Sequence, residues 1–215
     1  MRRMLFSKTG TAIWMSHLDT MRLMQRAFRR AGVILHHSQG FTPHAYVSML
    51  LPLSVGVESV CEIMEYELDT ELTVTPEQMN AVLPEGVRVL AVYESERKAK
   101  YLTDLKAEVT LEYDNGVPDN AAHRIAELLC GEAILVEKRT KRGMEEADIR
   151  PLLKTCELVA EGNSLRMICT VSAQNPSLNP MLLVSAIERY LPELKPDFAK
   201  CCRIEVYDDL GEVFR

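Results

Sequence analysis

Between residues 16 and 59 the chain gathers Ser16-His17-Leu18-Asp19, then Arg22, Arg26, Arg29 and Arg30, then Gly40-Phe41-Thr42-Pro43-His44, and finally Ser48, Pro52-Leu53-Ser54-Val55-Gly56 and Ser59. Four of the five histidines fall in this stretch. Core packing asks for volume and apolar surface, whereas these residues titrate, carry charge or favour special backbone angles, so function is expected in this third of the chain.

His17 and Asp19 stand two residues apart, and on a regular helix they point in different directions; around a helix start both can reach one pocket. Two readings are open for Asp19. It can complete a capping arrangement with Ser16 at the positive end of the helix dipole, or it can join His17 and His44 in acid–base or phosphotransfer chemistry. His36, His37 and His44 enlarge the histidine set, but no HExxH or two-histidine-one-carboxylate spacing is present and adjacent strand histidines face opposite ways, so no metal is expected. Gly40 can take a positive φ and Pro43 fixes its own, which suits a loop presenting Phe41 and His44 beside the basic helix. An aromatic platform with imidazole and guanidinium donors, here Arg22, Arg26, Arg29 and Arg30, is a usual way of holding a nucleotide or single-stranded nucleic acid; the alternative is a rigid loop covering a sheet edge. No nucleophile-and-base pattern, Walker loop or GxGxxG occurs.

The elements that position these residues follow from period and punctuation. A strand is expected over 4–8 and a helix over 16–31, capped by Ser16 and ended at Gly32, with Met21, Met24, Phe28 and Ala31 as its apolar stripe. Strands over 46–53 and 60–68, a helix over 76–82 and a strand over 87–92 complete an order of strand, helix, strand, strand, helix, strand. The order repeats as strands and helices over 107–113, 120–129, 133–137, 165–171, 180–190 and 202–207. The expected fold class is therefore α+β, two tandem ferredoxin-like (βαββαβ) units, 1–95 and 102–215. A further strand over 156–160 is expected to pair across the Gly162-Asn163 turn. That leaves a basic insertion at 138–154 with Lys141, Arg142 and Arg150, either a charged hairpin or a clamp for a phosphate backbone or for an acidic partner surface.

Composition bounds the rest. The 215 residues are 47% hydrophobic and 26% charged, as in an ordinary globular protein. No apolar run approaches the roughly 18 residues a spanning helix needs, so no membrane association and a cytoplasmic location are expected. Six cysteines, without a CxxC pair, read as reduced thiols acting as small hydrophobes, and no cofactor is expected. Residues 1–60 carry seven Lys and Arg against two acids, net +5, while the remaining 18 bases and 29 acids give net −11. The asymmetry can steer an anionic ligand to the N-terminal portion, or be solvated surface.

Ser16-His17-Leu18-Asp19, Arg22, Arg26-Ala27, Arg29-Arg30-Ala31, Ser38, Gly40-Phe41, Pro43-His44, Ser48, Pro52-Leu53, Gly56, Ser59-Val60 and Glu62, with Lys141, Gly143 and Asp148-Ile149-Arg150-Pro151 in the insertion, resemble the radical-SAM-linked family of unknown function, domain of unknown function 2344. Its members occur beside, or fused to, radical SAM proteins. The resemblance implies an accessory module that handles a substrate for a radical SAM partner, and this chain, lacking CxxxCxxC, would not itself hold the cluster. Leu35-His36 departs from the proline and apolar residue expected before His37. Three functions are carried forward: an RNA-interacting module that presents a modification substrate to the partner, an enzyme using His17, Asp19 and His44, and a protein-docking module.

Overall fold

The computed structural model describes residues 1–69, 73–140 and 143–215. Of the basic insertion, Lys141 and Arg142 lie outside the described residues. The chain mixes helices and antiparallel strands and divides into two compact units, 1–99 with Arg215, and 100–214.

The first unit contains strand β1 (Arg2–Lys8), helix α1 (His17–Arg30), strand β2 (Val47–Met49), strand β3 (Glu58–Tyr66), helix α2 (Pro76–Asn80) and strand β4 (Val87–Glu94). All pairings are antiparallel and the order across the sheet is β4-β1-β3-β2. Alternation puts Met4 and Phe6 of β1, Met64 and Tyr66 of β3 and Val87 and Val89 of β4 into one buried cluster with Met24, Ala27 and Phe28 of α1. Phe28 and Tyr66 meet ring on ring, centroids 4.9 Å apart and tilted by 48°.

α1 begins where Ser16 Oγ accepts the Asp19 N–H, and ends in a Schellman closure: Gly32, at φ +75°, donates to the Arg29 carbonyl and Val33 to that of Phe28. α2 carries a complete capping box between Thr75 and Gln78. β2 is shorter than the expected 46–53 strand; Leu50 still donates to the Ile63 carbonyl, but Pro52 has no N–H to continue the ladder.

The second unit contains strand β5 (Leu102–Glu112), helix α3 (Ala121–Leu129), strands β6 (Leu135–Thr140), β7 (Gly143–Asp148), β8 (Leu153–Glu161) and β9 (Ser164–Ser172), helix α4 (Met181–Tyr190) and strand β10 (Phe198–Asp208). Its sheet runs β10-β5-β9-β8, again antiparallel. One expected assignment is corrected. The strand over 133–137 is not in this sheet: β6 pairs with β7 as a separate two-stranded ribbon, and β8, expected only as an extra strand, takes the place beside β9. β6 turns charged after Leu135-Val136, leaving no apolar face for a sheet, whereas Cys156 and Leu158 of β8 alternate inward. β8 and β9 meet across Gly162-Asn163, with Gly162 at φ +58°.

Candidate functional site

The polar groups of the first unit collect at two hollows along α1. At the C-terminal half of the helix, Gln25, Arg29, residues 32–35, His37, Pro43 and His44 line a hollow of about 380 Å³. Its far wall is a ribbon built by the chain from 36 to 46. The N–H of Ser38 donates to the His44 carbonyl at 2.9 Å, the N–H of His44 donates to Ser38 Oγ at 3.0 Å, and the N–H of Tyr46 donates to the His36 carbonyl at 2.9 Å. Ser38 is thus a brace of the ribbon. Gly40, at φ +136°, stands at the tip, and Phe41 beside it is fully exposed.

Side-chain contacts fix two imidazoles of this ribbon, those of His36 and His37. His37 Nδ1 donates to the Leu35 carbonyl at 2.7 Å, and because a carbonyl only accepts, its Nε2 is left as the acceptor of the neutral ring. His36 stacks on Tyr46, centroids 5.1 Å apart, and pairs with Asp69 at 2.5 Å. The ribbon is attached just past the end of β3, by the His36 N–H to the Glu67 carbonyl and the Glu67 N–H to the Tyr46 carbonyl. Arg22, Arg26, Arg29 and Arg30 are all exposed on the side of α1 away from Met24, Ala27 and Phe28. Arg29 and Arg30 occupy its last turn, where cations favour the negative end of the helix dipole.

The second hollow lies at the other end of α1 and is nearly filled, with about 10 Å³ of space. Lys8, His17, Thr20 and Glu62 line it, with Phe6, Met49 and Leu53. Lys8 is 2% exposed and Glu62 4%. The Lys8 ammonium donates to the carbonyls of Met15, at 2.7 Å, and Ile13, at 3.4 Å. Burial pulls its pKa below the usual lysine value, and the Glu62 carboxylate pulls the other way.

The sequence-derived set is therefore divided. His44 and Arg29 line one hollow and His17 the other. Asp19 is taken up locally: Ser16 Oγ–H donates to its Oδ2 at 2.6 Å and Arg22 lies 3.5 Å from its Oδ1. The Ser16 hydrogen bond, with help from Arg22, holds its carboxyl below the ordinary aspartate range. The capping reading of Asp19 describes these contacts.

In the second unit, Arg150 gives Nε to the Gly131 carbonyl and one terminal nitrogen to that of Leu153. Asp148 Oδ1 accepts the N–H groups of Ile134 and Arg150, which hold its carboxyl low. Asp148-Ile149-Arg150-Pro151 thus closes the base of the β6–β7 ribbon, with Ile149 buried between.

Lys8 and Tyr66 were not singled out by sequence. The signal was available: period two places Lys8 on the face of Met4 and Phe6, and Glu62 on the face of Met64 and Tyr66. Among the described residues no group of three or more His, Cys, Asp or Glu is arranged to hold a metal, and no helix is long and apolar enough to cross a membrane.

The chain belongs to the family described as "Uncharacterized protein conserved in bacteria (DUF2344)", matching it over residues 2–180. No curated protein matches it. Among solved structures, a chain in the crystal structure of a Cbf5-Nop10-Gar1 complex is similar over 97% of this chain and 50% of that one, at 8% identity and a TM-score of 0.56. This chain spans about half the length of that one, and at such identity the likeness concerns the fold alone. The crystal structure of an unknown protein from Galdieria sulphuraria aligns over 96% of both chains at 11% identity, with a TM-score of 0.22 that carries no structural argument.

Proposed function

We propose, with membership of the DUF2344 family as the premise, that this protein is a cytoplasmic accessory module that presents an RNA substrate to a radical SAM partner, the RNA lying against α1 and the 36–46 ribbon. The observation that carries the RNA part is the full exposure of Phe41 at the tip of a ribbon whose base brings His37 and His44 to a hollow with Arg29. A base stacks on such a ring whatever its identity, and exposed guanidinium groups along α1 meet the phosphates. The radical SAM partner rests on the family resemblance of the motifs and on nothing in the geometry. In the same reading each unit is ferredoxin-like, which the orders β4-β1-β3-β2 and β10-β5-β9-β8 support.

A different observation favours a second reading, an enzyme in its own right: His17 lines a hollow with the buried Lys8 and Glu62, groups of the kind used in proton transfer. Asp19 and His44, the other two candidates, do not line that hollow. Protein docking is the third.

Co-purification from the native cell tests these together. RNA and a radical SAM protein recovered with the chain are the expected result. A radical SAM protein without RNA, followed by no retention of total cellular RNA at low salt by the chain or the co-expressed pair, would replace the RNA reading with protein docking.

A further inference from the structure

The hollow between α1 and the 36–46 ribbon is walled by polar side chains whose hydrogen-bonding capacity is unused. Those of Gln25, Arg29 and His44 have no partner among the described residues, although farther along the same helix Asp19 and Arg22 engage each other. His37 has committed Nδ1 to the Leu35 carbonyl, and Nε2 remains as an acceptor. Arg29, His37 and His44 are exposed and Gln25 is half-buried, so a molecule in the hollow can reach all four.

The whole lining selects the occupant. Arg29 is a cation on the wall, and no carboxylate stands there to offset it. The carbonyls of Ala27, Phe28 and Arg29, at the negative end of α1, already accept the N–H groups of Ala31, Val33 and Gly32, which blunts their repulsion of an anion. The other walls, Gly32, Val33, Ile34, Leu35, Pro43 and Ala45, are apolar. About 380 Å³ is within the usual range of small-molecule sites. An anionic group for Arg29, a flat body for the apolar walls and an N–H for His37 Nε2 are together the parts of a nucleotide. Phe41 does not line the hollow, so a base held there is not the base stacked on that ring.

We propose that this hollow takes one unpaired nucleotide of the presented RNA, its phosphate on Arg29 and a base N–H on His37 Nε2, and thereby reads a base edge, which stacking on Phe41 does not. The inference rests on the RNA reading and deepens it.

The four nucleoside 5′-monophosphates, titrated separately into the full chain and followed by backbone amide shifts, test it beside retention of total cellular RNA at low salt. Saturable shifts at Val33 and Ala45 are expected, with affinities spread over about tenfold among the four, the worth of one hydrogen bond. For the tightest of them, His37→Phe should lower affinity about tenfold by removing the acceptor. Arg29→Ala should lower affinity for that monophosphate about tenfold and leave affinity for its nucleoside unchanged. Phe41→Ala should alter neither. The Arg29 side chain is exposed, so its variant folds as the natural protein does. With RNA retained, three results would each overturn this inference alone: no shifts at Val33 and Ala45, equal affinity for all four nucleotides, or an Arg29→Ala protein that binds the monophosphate as tightly as before. Binding of neither RNA nor any nucleotide would overturn both this inference and the RNA reading.

Discussion

The Lys8 ammonium donates to the Met15 carbonyl at 2.7 Å, tying the end of β1 to the residue before the cap of α1. The same ammonium reaches the Ile13 carbonyl, so one buried cation organises the 3-10 turn Gly10–Trp14 that delivers the chain into the helix. Lys8→Met is therefore expected to cost about 1–3 kcal/mol, because it leaves the two carbonyls without this donor and removes the cation that Glu62 favours electrostatically. Adding Glu62→Leu should recover part of the loss. Urea unfolding of the single and double variants measures it, and additive losses would show that the two charges are not coupled. The Lys8 pKa is lowered by burial, so the unfolded chain binds this proton more tightly and the group's contribution to stability rises with pH between the folded and the ordinary lysine pKa.

Ser16→Ala removes both the cap of α1 and the donor to Asp19. A stability loss of about 0.5–2 kcal/mol is expected from the cap. Because the Asp19 carboxyl is held low in the folded state, its contribution is present above the unfolded aspartate pKa, about 3.9, and disappears as pH falls through the folded value. Carbon-detected titration of Asp19 should show its pKa rising toward the ordinary value in Ser16→Ala; an unchanged pKa would mean that Arg22 is the main cause.

Gly86 sits at φ +85°, where a Cβ would lie 2.5 Å from the Thr9 carbonyl oxygen. Thr9 in turn donates to the Gly86 carbonyl at 2.8 Å, so neither backbone can give way freely. Gly86→Ala should lose on the order of 1–3 kcal/mol, read from the thermal midpoint. Gly40 also has a positive φ, but a Cβ there meets nothing within 4 Å, so Gly40→Ala should cost less.

If RNA binds as proposed, Ala at Arg22, Arg26 and Arg29 should weaken binding across sequences and flatten its salt dependence. Phe41→Ala should lose about 1–3 kcal/mol of binding with the salt slope nearly unchanged, because stacking releases few counterions. The ring is fully exposed, so this variant should unfold as the natural protein does. Filter binding at several salt concentrations separates the two effects, and a Phe41→Ala protein with unaltered affinity would leave the ring no part in recognition.

What the sequence determined by itself was local. Ser16 and Gly32 bound α1, its apolar stripe faces the sheet, and the Gly162-Asn163 turn joins β8 to β9, because caps, turns and periodicity depend on neighbours within a few residues. Alternation even placed Lys8 and Glu62 on the core face, although a charge at the end of a strand reads as a surface residue until its partners are known. The tertiary structure decided which side chains meet. Whether His17 and His44 share a hollow depends on where the 36–46 ribbon lies along α1, and it lies at the far end, attached through Glu67 just past the end of β3. Likewise β6 and β8 are both plausible strands in isolation, and only the competition for the place beside β9 shows which has an apolar face to bury. The Tyr66 hydroxyl, buried without a hydrogen-bond partner among the described residues, is the extreme case: no spacing along the chain reveals an absent partner, because a hydrogen bond is missing only relative to everything else packed around it.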